Sequence, residues 1–455
     1  MESPPATTQQ PAPAPTQPPA PEPATTKPQG GDVTVRVIDG DTGAPLAGAL
    51  LRAVGPPNPA TAVAGADGTA TLPPGTGIVR ARAAAHDPGG ATVRAGAAVI
   101  RLYDPSLQSP QYGGGPSRHR TVPAVVAPPP RPGRAPDWTF DGRTLAEFPP
   151  AVDAGLVIHA VNSGRVFALD ARTGEVRWAR RQRGYIAASP AIAGGRVYVA
   201  SMDGRLTAYR LKNGEQVWQM STGSPIETSP LVVGEELYFG TWSGSLYAVN
   251  LRSGRVRWTY RASGAIKGSA AQAGRLVIVG DYGGVVHGID RASGREVWRA
   301  FGTRFYGGPG VSGSTAVIGD VGGSVLAVDA RTGRTRWRVA TGAYVYSSPA
   351  IADGTVYIGS YAGRFMAIDL ASGRVRWSFD AGGRISGSAT VVGRVVYTAV
   401  LAHPGQAKRT WGLDVATGAV RYRGDDGRYS PAVAAGRTLY LVGSRRLYAY
   451  RAPAS

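Results

Sequence analysis

The stretch SLYAVNLRSGRVRW, Ser245–Trp258, decides the fold, because near-copies of it recur along the chain. RVFALDARTGEVRW ends at Trp178, RLTAYRLKNGEQVW at Trp218 and VVHGIDRASGREVW at Trp298. SVLAVDARTGRTRW ends at Trp337 and RFMAIDLASGRVRW at Trp377, while TWGLDVATGAVRY sets Tyr422 where the others have Trp. From Trp178 to Trp377 the tryptophans keep one step throughout, shortened by a single position only between Trp298 and Trp337. A constant period of this length marks a repeat architecture in which each unit is one supersecondary element.

Within one unit, SPAIA reads as a short strand, GRVYVAS as an alternating second, RLTAYR as a third and EQVWQM as a fourth. Asp-Gly and Asn-Gly, strong hairpin signals, stand between them. In the other copies the last turn carries Thr-Gly or Ser-Gly, where a glycine suits a positive φ. Four antiparallel strands repeated at this period predict β-propeller blades, with the Trp lying against the next blade.

A second landmark counts the blades. Ser-Pro follows the Trp at a fixed distance, from Trp178 to Pro190, Trp218 to Pro230 and Trp337 to Pro349. Trp138 and Pro150 stand the same distance apart. Trp138 therefore belongs to an outer strand whose blade lacks its first three strands. SPAVAAGRTLYLVGSRRLYAYR (430–451) supplies three strands without an outer one. Joined, the two pieces predict an all-β, eight-bladed propeller over 136–455, closed by its N-terminal strand and so without an open edge.

LYAVNLRSGRVRW, FALDARTGEVRW and IDLASGRVRW resemble the tryptophan-docking repeat of quinoprotein dehydrogenases, and with SPAI…GRVYVASMDG they resemble pyrrolo-quinoline quinone (PQQ)-like repeats in general. They are similar also to the eight-bladed outer-membrane protein assembly lipoprotein. That resemblance implies an extracytoplasmic propeller, secreted or at the cell envelope, that binds protein partners through loops at one face.

Before the repeats, residues 1–30 are Pro, Ala, Thr and Gln with few large apolar side chains, the composition of a disordered linker. Residues 31–104 read as short strands forming a small sandwich. Its VRVIDGDTGAPLAGALLRA…GADGTATLP resembles the carboxypeptidase-regulatory-like domain, a transthyretin-like Greek-key fold that carries no catalytic groups. Residues 105–135, ending in APPPRPGRAP, read as a Pro/Gly-rich linker. The opening MESPPATTQQPAPAP has neither the basic nor the apolar region of an export signal.

Composition narrows the chemistry. The chain has no Cys, which excludes disulfides and thiol catalysis, and its five His show no metal-ligand spacing. No segment reaches the length of a membrane span. The net charge of +20 comes mostly from Arg, which recurs at equivalent repeat positions (Arg177, Arg257, Arg336, Arg376), so the repeat multiplies the charge. Without a Lys/Arg run or an aromatic-basic motif, the sequence predicts no specific nucleic-acid binding.

Three functions fit this pattern. A PQQ-dependent dehydrogenase would use Trp242 as a stacking ring and Glu147, Glu227, Asp281 or Asp320 as acids, but the vicinal cysteines and long inserts of those enzymes are missing. A sensor propeller, similar to those fused to bacterial Ser/Thr kinases, would need a signalling partner. The third is a non-enzymatic binding scaffold, with no catalytic residue, cofactor or metal, acting as a monomer on a protein partner or envelope polymer. Its site is expected at the channel mouth, at one fixed offset after each Trp: Glu147, Ala187, Glu227, Lys267, Gly307, Tyr346 and Ser386. The candidate face is Glu147, Glu227, Trp242, Lys267, Tyr306, Tyr344 and Tyr346.

Overall fold

The computed structural model describes residues 31–54, 59–122, 130, 134–402 and 407–452; the predicted linker 1–30 lies outside them. Every regular element among them is a strand except one short 3-10 turn, Pro105–Leu107. Among the described residues no helix is long and apolar enough to cross a membrane.

Among the described residues, eight sheets of at least four strands follow the repeat. Blade 1 runs from Ala151–Asp153 to Val176–Arg181, and blades 2 to 7 follow in order, the seventh ending at Val420–Gly424. Blade 8 is composite. Its strands Ala432–Ala435, Thr438–Val442 and Arg446–Arg451 are completed by Trp138–Asp141. That closing strand is antiparallel, with Ala449 opposite Trp138 and Arg446 opposite Asp141. Hydrogen bonding thus joins the two ends of the repeat region and removes a free sheet edge.

The repeat signature is an interface device. Each Trp lies across the joint to the next blade and donates its indole N–H to a backbone carbonyl there. Trp178 reaches Leu211 O at 2.7 Å, Trp258 reaches Arg291 O at 2.8 Å and Trp337 reaches Leu370 O at 2.8 Å. The Thr-Gly or Ser-Gly turn of that next blade sits on the ring. At Gly373 φ is +75°, and a Cβ there would stand 2.8 Å from Trp337 Cγ. The turn aspartate accepts the N–H groups that follow it, as Asp369 does from Ser372 at 2.8 Å, and pairs with the Arg at the strand start, Arg376, at 2.6 Å. Asp, Thr/Ser-Gly, Arg and Trp therefore recur together because they build one joint. Tyr422 replaces Trp where the next blade is the composite one, which has no such turn to dock.

The core is accordingly a series of inter-blade layers. Ile158, Val166 and Trp178 of blade 1 pack with Ile192, Val197 and Tyr209 of blade 2, all buried. Large aromatic and β-branched burial at every joint provides most of the driving force for ring assembly.

The described residues between 33 and 102 form two further sheets. One orders Thr69–Leu72, Val33–Asp39 and Ala97–Leu102; the other orders Thr61–Val63, Leu50–Val54, Ile78–Arg82 and Gly89–Thr92. Val35, Val37, Leu51, Val79, Ile100 and Leu102 fill the space between them. This unit touches the propeller. Gln108 Nε2 donates to Asp41 Oδ1 at 3.0 Å, and the Tyr103 hydroxyl lies so close to Gly155 of blade 1 that a Cβ there would collide with it.

Candidate binding site at the channel mouth

The sequence reading of 105–135 as a linker fails over its first part. Residues 107–120 run round one end of the channel and accept one hydrogen bond from every blade. Leu107 O takes Gly436 N–H of blade 8 at 2.8 Å, Ser109 O takes Val152 of blade 1 at 2.8 Å and Pro110 O takes Ile192 of blade 2 at 2.6 Å. Gln111 Oε1 takes Val232 of blade 3 at 2.9 Å. Pro116, Ser117, His119 and Arg120 carbonyls take Gln272, Val311, Ile351 and Val391 of blades 4 to 7 at 2.8, 2.9, 2.7 and 2.9 Å. Thr121–Val122 then adds a parallel strand to blade 7.

This plug drives two arginines into the axis. Arg118 and Arg120 are 2 % exposed. Both adopt left-handed backbone, with φ of 55° and 58°. The Arg118 guanidinium donates to Ala270 O at 3.1 Å, to Ser229 O and Pro230 O at 3.0 Å each, and to Tyr112 O. Arg120 donates to Ala389 O, Ser388 O and Thr390 Oγ1. Both cations face the Tyr112 ring, Arg120 at 4.4 Å and Arg118 at 5.5 Å from its centroid. Burial pushes Arg118 down to about 9. Carbonyl dipoles and a π face stand in for carboxylates around these charges, although Arg120 Nη1 is buried without a hydrogen-bond partner.

Above the plug, the Ser of the Ser-Pro landmark forms a belt. Ser189, Ser229, Ser348 and Ser388 each donate a backbone N–H to the serine hydroxyl one blade on, at 2.9, 2.9, 2.8 and 3.1 Å. Gly308 N–H enters the same belt through Ser348 Oγ at 2.9 Å.

The opposite end is open and carries two concentric rings of side chains. The inner ring follows a buried apolar position: Ile226, Ile266, Phe305, Val345 and Ile385 each bond their N–H to the turn of the preceding blade. The next residues, Glu227, Lys267, Tyr306, Tyr346 and Ser386, face the axis. Tyr306, not Gly307, holds the place in blade 5, because the link from Trp298 to Pro309 is one position shorter than in the other blades. Glu147 completes this side. The outer ring comes from the turn between second and third strands: Trp242, Tyr282, Val321 and Tyr361 in blades 3 to 6.

The structure brings the seven candidate residues to this one end. Glu147, Glu227, Lys267, Tyr306 and Tyr346 line a cavity of about 70 Å³ whose floor is Tyr112. Trp242 and Tyr344, 40 % and 53 % exposed, flank it. Glu227 braces two rings, accepting Trp242 Nε1–H at 2.8 Å and the Tyr306 hydroxyl. Burial, reinforced by the Glu227 charge, raises the Tyr306 phenol far above its ordinary range. Tyr185 donates to Glu147, whose carboxyl burial pushes up, with Glu227 adding repulsion. Tyr306 meets Tyr346 edge-to-face at 4.8 Å, and Tyr346 lies 4.7 Å from Tyr361. The result is an aromatic crescent across blades 3 to 6.

Tyr282 and Tyr361 escaped the sequence reading, although both stand in the repeat column of Trp242. Asp281 and Asp320 do not reach the mouth cavity. Asp281 is buried against Ser263, at 2.6 Å, and His287, at 3.2 Å. Burial alone would raise its carboxyl, but the bonds from His287 and Ser263 and from Val285 N–H hold it well below the usual range. Asp320 accepts Ser324 N–H at 2.9 Å in the equivalent turn.

Blades of this signature, closed in this way, make the chain a PQQ-like repeat β-propeller protein. Residues 131–283 and 282–452 match the family described as outer membrane protein assembly factor BamB, and the chain belongs to that family. Among solved structures it is similar to BamB from Moraxella catarrhalis, at 18 % identity and TM-score 0.58 over 69 % of this chain and 98 % of that one. A europium-containing methanol dehydrogenase aligns at 13 % identity and TM-score 0.64, over 74 % of this chain and 89 % of its own. The computationally designed protein Ika8 aligns at 14 % identity and TM-score 0.62, over 70 % of this chain and 100 % of its own. At such identities the likeness is one of fold. No curated protein matches the sequence.

Proposed function

We propose that this protein is a non-enzymatic binding scaffold of the cell envelope, a monomer that holds a protein partner against the open channel mouth. The observation that carries the reading is the asymmetry of the channel. One end is sealed by residues 107–120, and the other presents Trp242, Tyr344 and Tyr346 beside Glu227 and Lys267. Rigid aromatic anchors set in a braced pocket are what interface hot spots are made of. Family membership favours an extracytoplasmic place, and the sandwich, which resembles a carboxypeptidase-regulatory-like accessory, suits a structural role.

The mouth does not fit the quinone cofactor of the dehydrogenases that share this fold. A cavity of about 70 Å³ is far below the roughly 300–1,000 Å³ of sites that enclose such ligands. Its floor is occupied by Tyr112, whose ring packs against the buried arginine pair. Among the described residues no group of three or more Asp, Glu or His is placed to hold a metal ion.

The test is retention of partners from envelope extract at high salt, where non-specific charge attraction is screened. Wild type is expected to keep a partner that the Tyr306→Ala/Tyr346→Ala double variant loses. Retention of every partner by the double variant moves the binding face elsewhere.

A further inference from the structure

Lys267 is held in an unusual way. Its ammonium stands 4.2 Å from the centroid of the Trp242 ring, 4.7 Å from Tyr282 and 5.6 Å from Tyr306. Among the described residues it makes no hydrogen bond or ion pair. Three aromatic faces around one cation, from two adjacent blades and the neighbouring inner ring, form a cage. Two of its walls are fixed in advance, because Trp242 Nε1–H and the Tyr306 hydroxyl both donate to the Glu227 carboxylate. That carboxylate also biases the site toward positive charge.

The geometry points to a binding site for a quaternary ammonium group, with Lys267 as its internal, displaceable occupant. This inference rests on the mouth being the working face and names a ligand chemistry for it. A primary ammonium carries three N–H bonds that water satisfies and the cage does not. Its seat here therefore comes at the expense of hydration. A trimethylammonium group has no N–H to satisfy, is weakly hydrated and spreads its charge over methyls that fit against ring faces. Lys267 is half-buried on a flexible four-carbon stem and returns to water when it leaves. Exchange of one cation for the other is then favourable without rearranging the cage.

The experiment uses the full chain, with tetramethylammonium, choline and phosphocholine titrated by calorimetry; the last two separate a free base from a headgroup. Choline is expected to bind wild type weakly and Lys267→Ala at least about tenfold more tightly, since the competitor is gone. A gain of affinity cannot come from misfolding. Trp242→Ala in the Lys267→Ala background is expected to lose roughly tenfold or more. Trp242→Phe, which keeps a wall, is expected to fall between the two. The neutral isostere 3,3-dimethylbutan-1-ol is expected not to bind. Absence of binding to both wild type and Lys267→Ala overturns the inference, as does equal binding of the neutral isostere. If choline binds but partner retention is indifferent to Tyr306→Ala/Tyr346→Ala, the cage stands and the partner-binding face lies elsewhere than the mouth. The reverse pattern leaves the scaffold reading and removes the cage.

Discussion

Progressive truncation of the N-terminal region weighs the plug directly. Residues 107–120 accept eight hydrogen bonds from inner strands, one from each blade. A protein hydrogen bond contributes about 1 kcal/mol net, so these eight alone contribute about 8 kcal/mol, comparable to the whole stability of a typical domain. Deleting 1–103 removes the sandwich but none of the eight bonds, and the propeller is expected to keep nearly all of its stability. Deleting 1–110 removes the three bonds accepted by Leu107, Ser109 and Pro110 and the two that Ser109 donates to Val152 O and Ala434 O, at a cost of about 5 kcal/mol. Deleting 1–122 removes all eight, together with the Arg118 and Arg120 contacts, and is expected to yield aggregated or unfolded protein. Urea denaturation followed by tryptophan fluorescence reads the series, because stability falls linearly with denaturant. Equal stability of the three truncations refutes the plug as a structural member of the ring.

Gly373→Ala is expected to cost about 2–4 kcal/mol, from positive φ plus the clash with Trp337, whereas Gly354→Ala, at φ +68° with nothing within 4 Å, is expected to cost only about 1 kcal/mol; equal costs in thermal melts contradict the Trp-docking account. Asp153, where the sandwich meets blade 1, is pushed up to about 6 by burial and by the nearby Asp87 and Asp41 charges. A carboxyl raised in the folded state binds protons more tightly there than when unfolded, so its ionisation removes stability as pH rises from about 4 through 6. Asp153→Asn is therefore expected to stabilise by about 1–2 kcal/mol at pH 8, after discounting for partial exposure, and to change little at pH 4; a variant effect independent of pH contradicts this. Adding PQQ and Ca²⁺ is expected to give no alcohol-dependent dye reduction, and turnover abolished by Trp242→Ala contradicts the scaffold reading. With a net charge of +20, binding to DNA is expected to be indifferent to sequence and to fall by roughly 10³–10⁵ between about 50 and 200 mM salt; salt-resistant, sequence-selective binding contradicts it.

Periodicity made the propeller readable. Because one joint is built seven times around the same Trp and turn glycine, the signal accumulates along the chain, and even the closing strand at Trp138 announces itself by its spacing to Pro150. The plug is built once. QYGGGPSRHR has no period, and its partners, from Ser229 to Thr390, lie far along the chain, so composition made it look like a linker. Arg118 and Arg120 were equally opaque, since arginines in a polar segment are ordinarily solvated, and only the carbonyls of distant blades make their burial tolerable. At the mouth, one missing position between Trp298 and Pro309 displaced the inner ring from Gly307 to Tyr306. Aligning the second-turn column would have found Tyr282 and Tyr361 beside Trp242.

On this reading the channel works from one end only. A photo-crosslinking amino acid placed at position 344, on the aromatic crescent, and another at position 106, exposed beside the plug, test it in envelope extract. A discrete crosslinked partner that persists at high salt is expected from position 344, and none from position 106. Crosslinking from position 106 with none from 344 would contradict it.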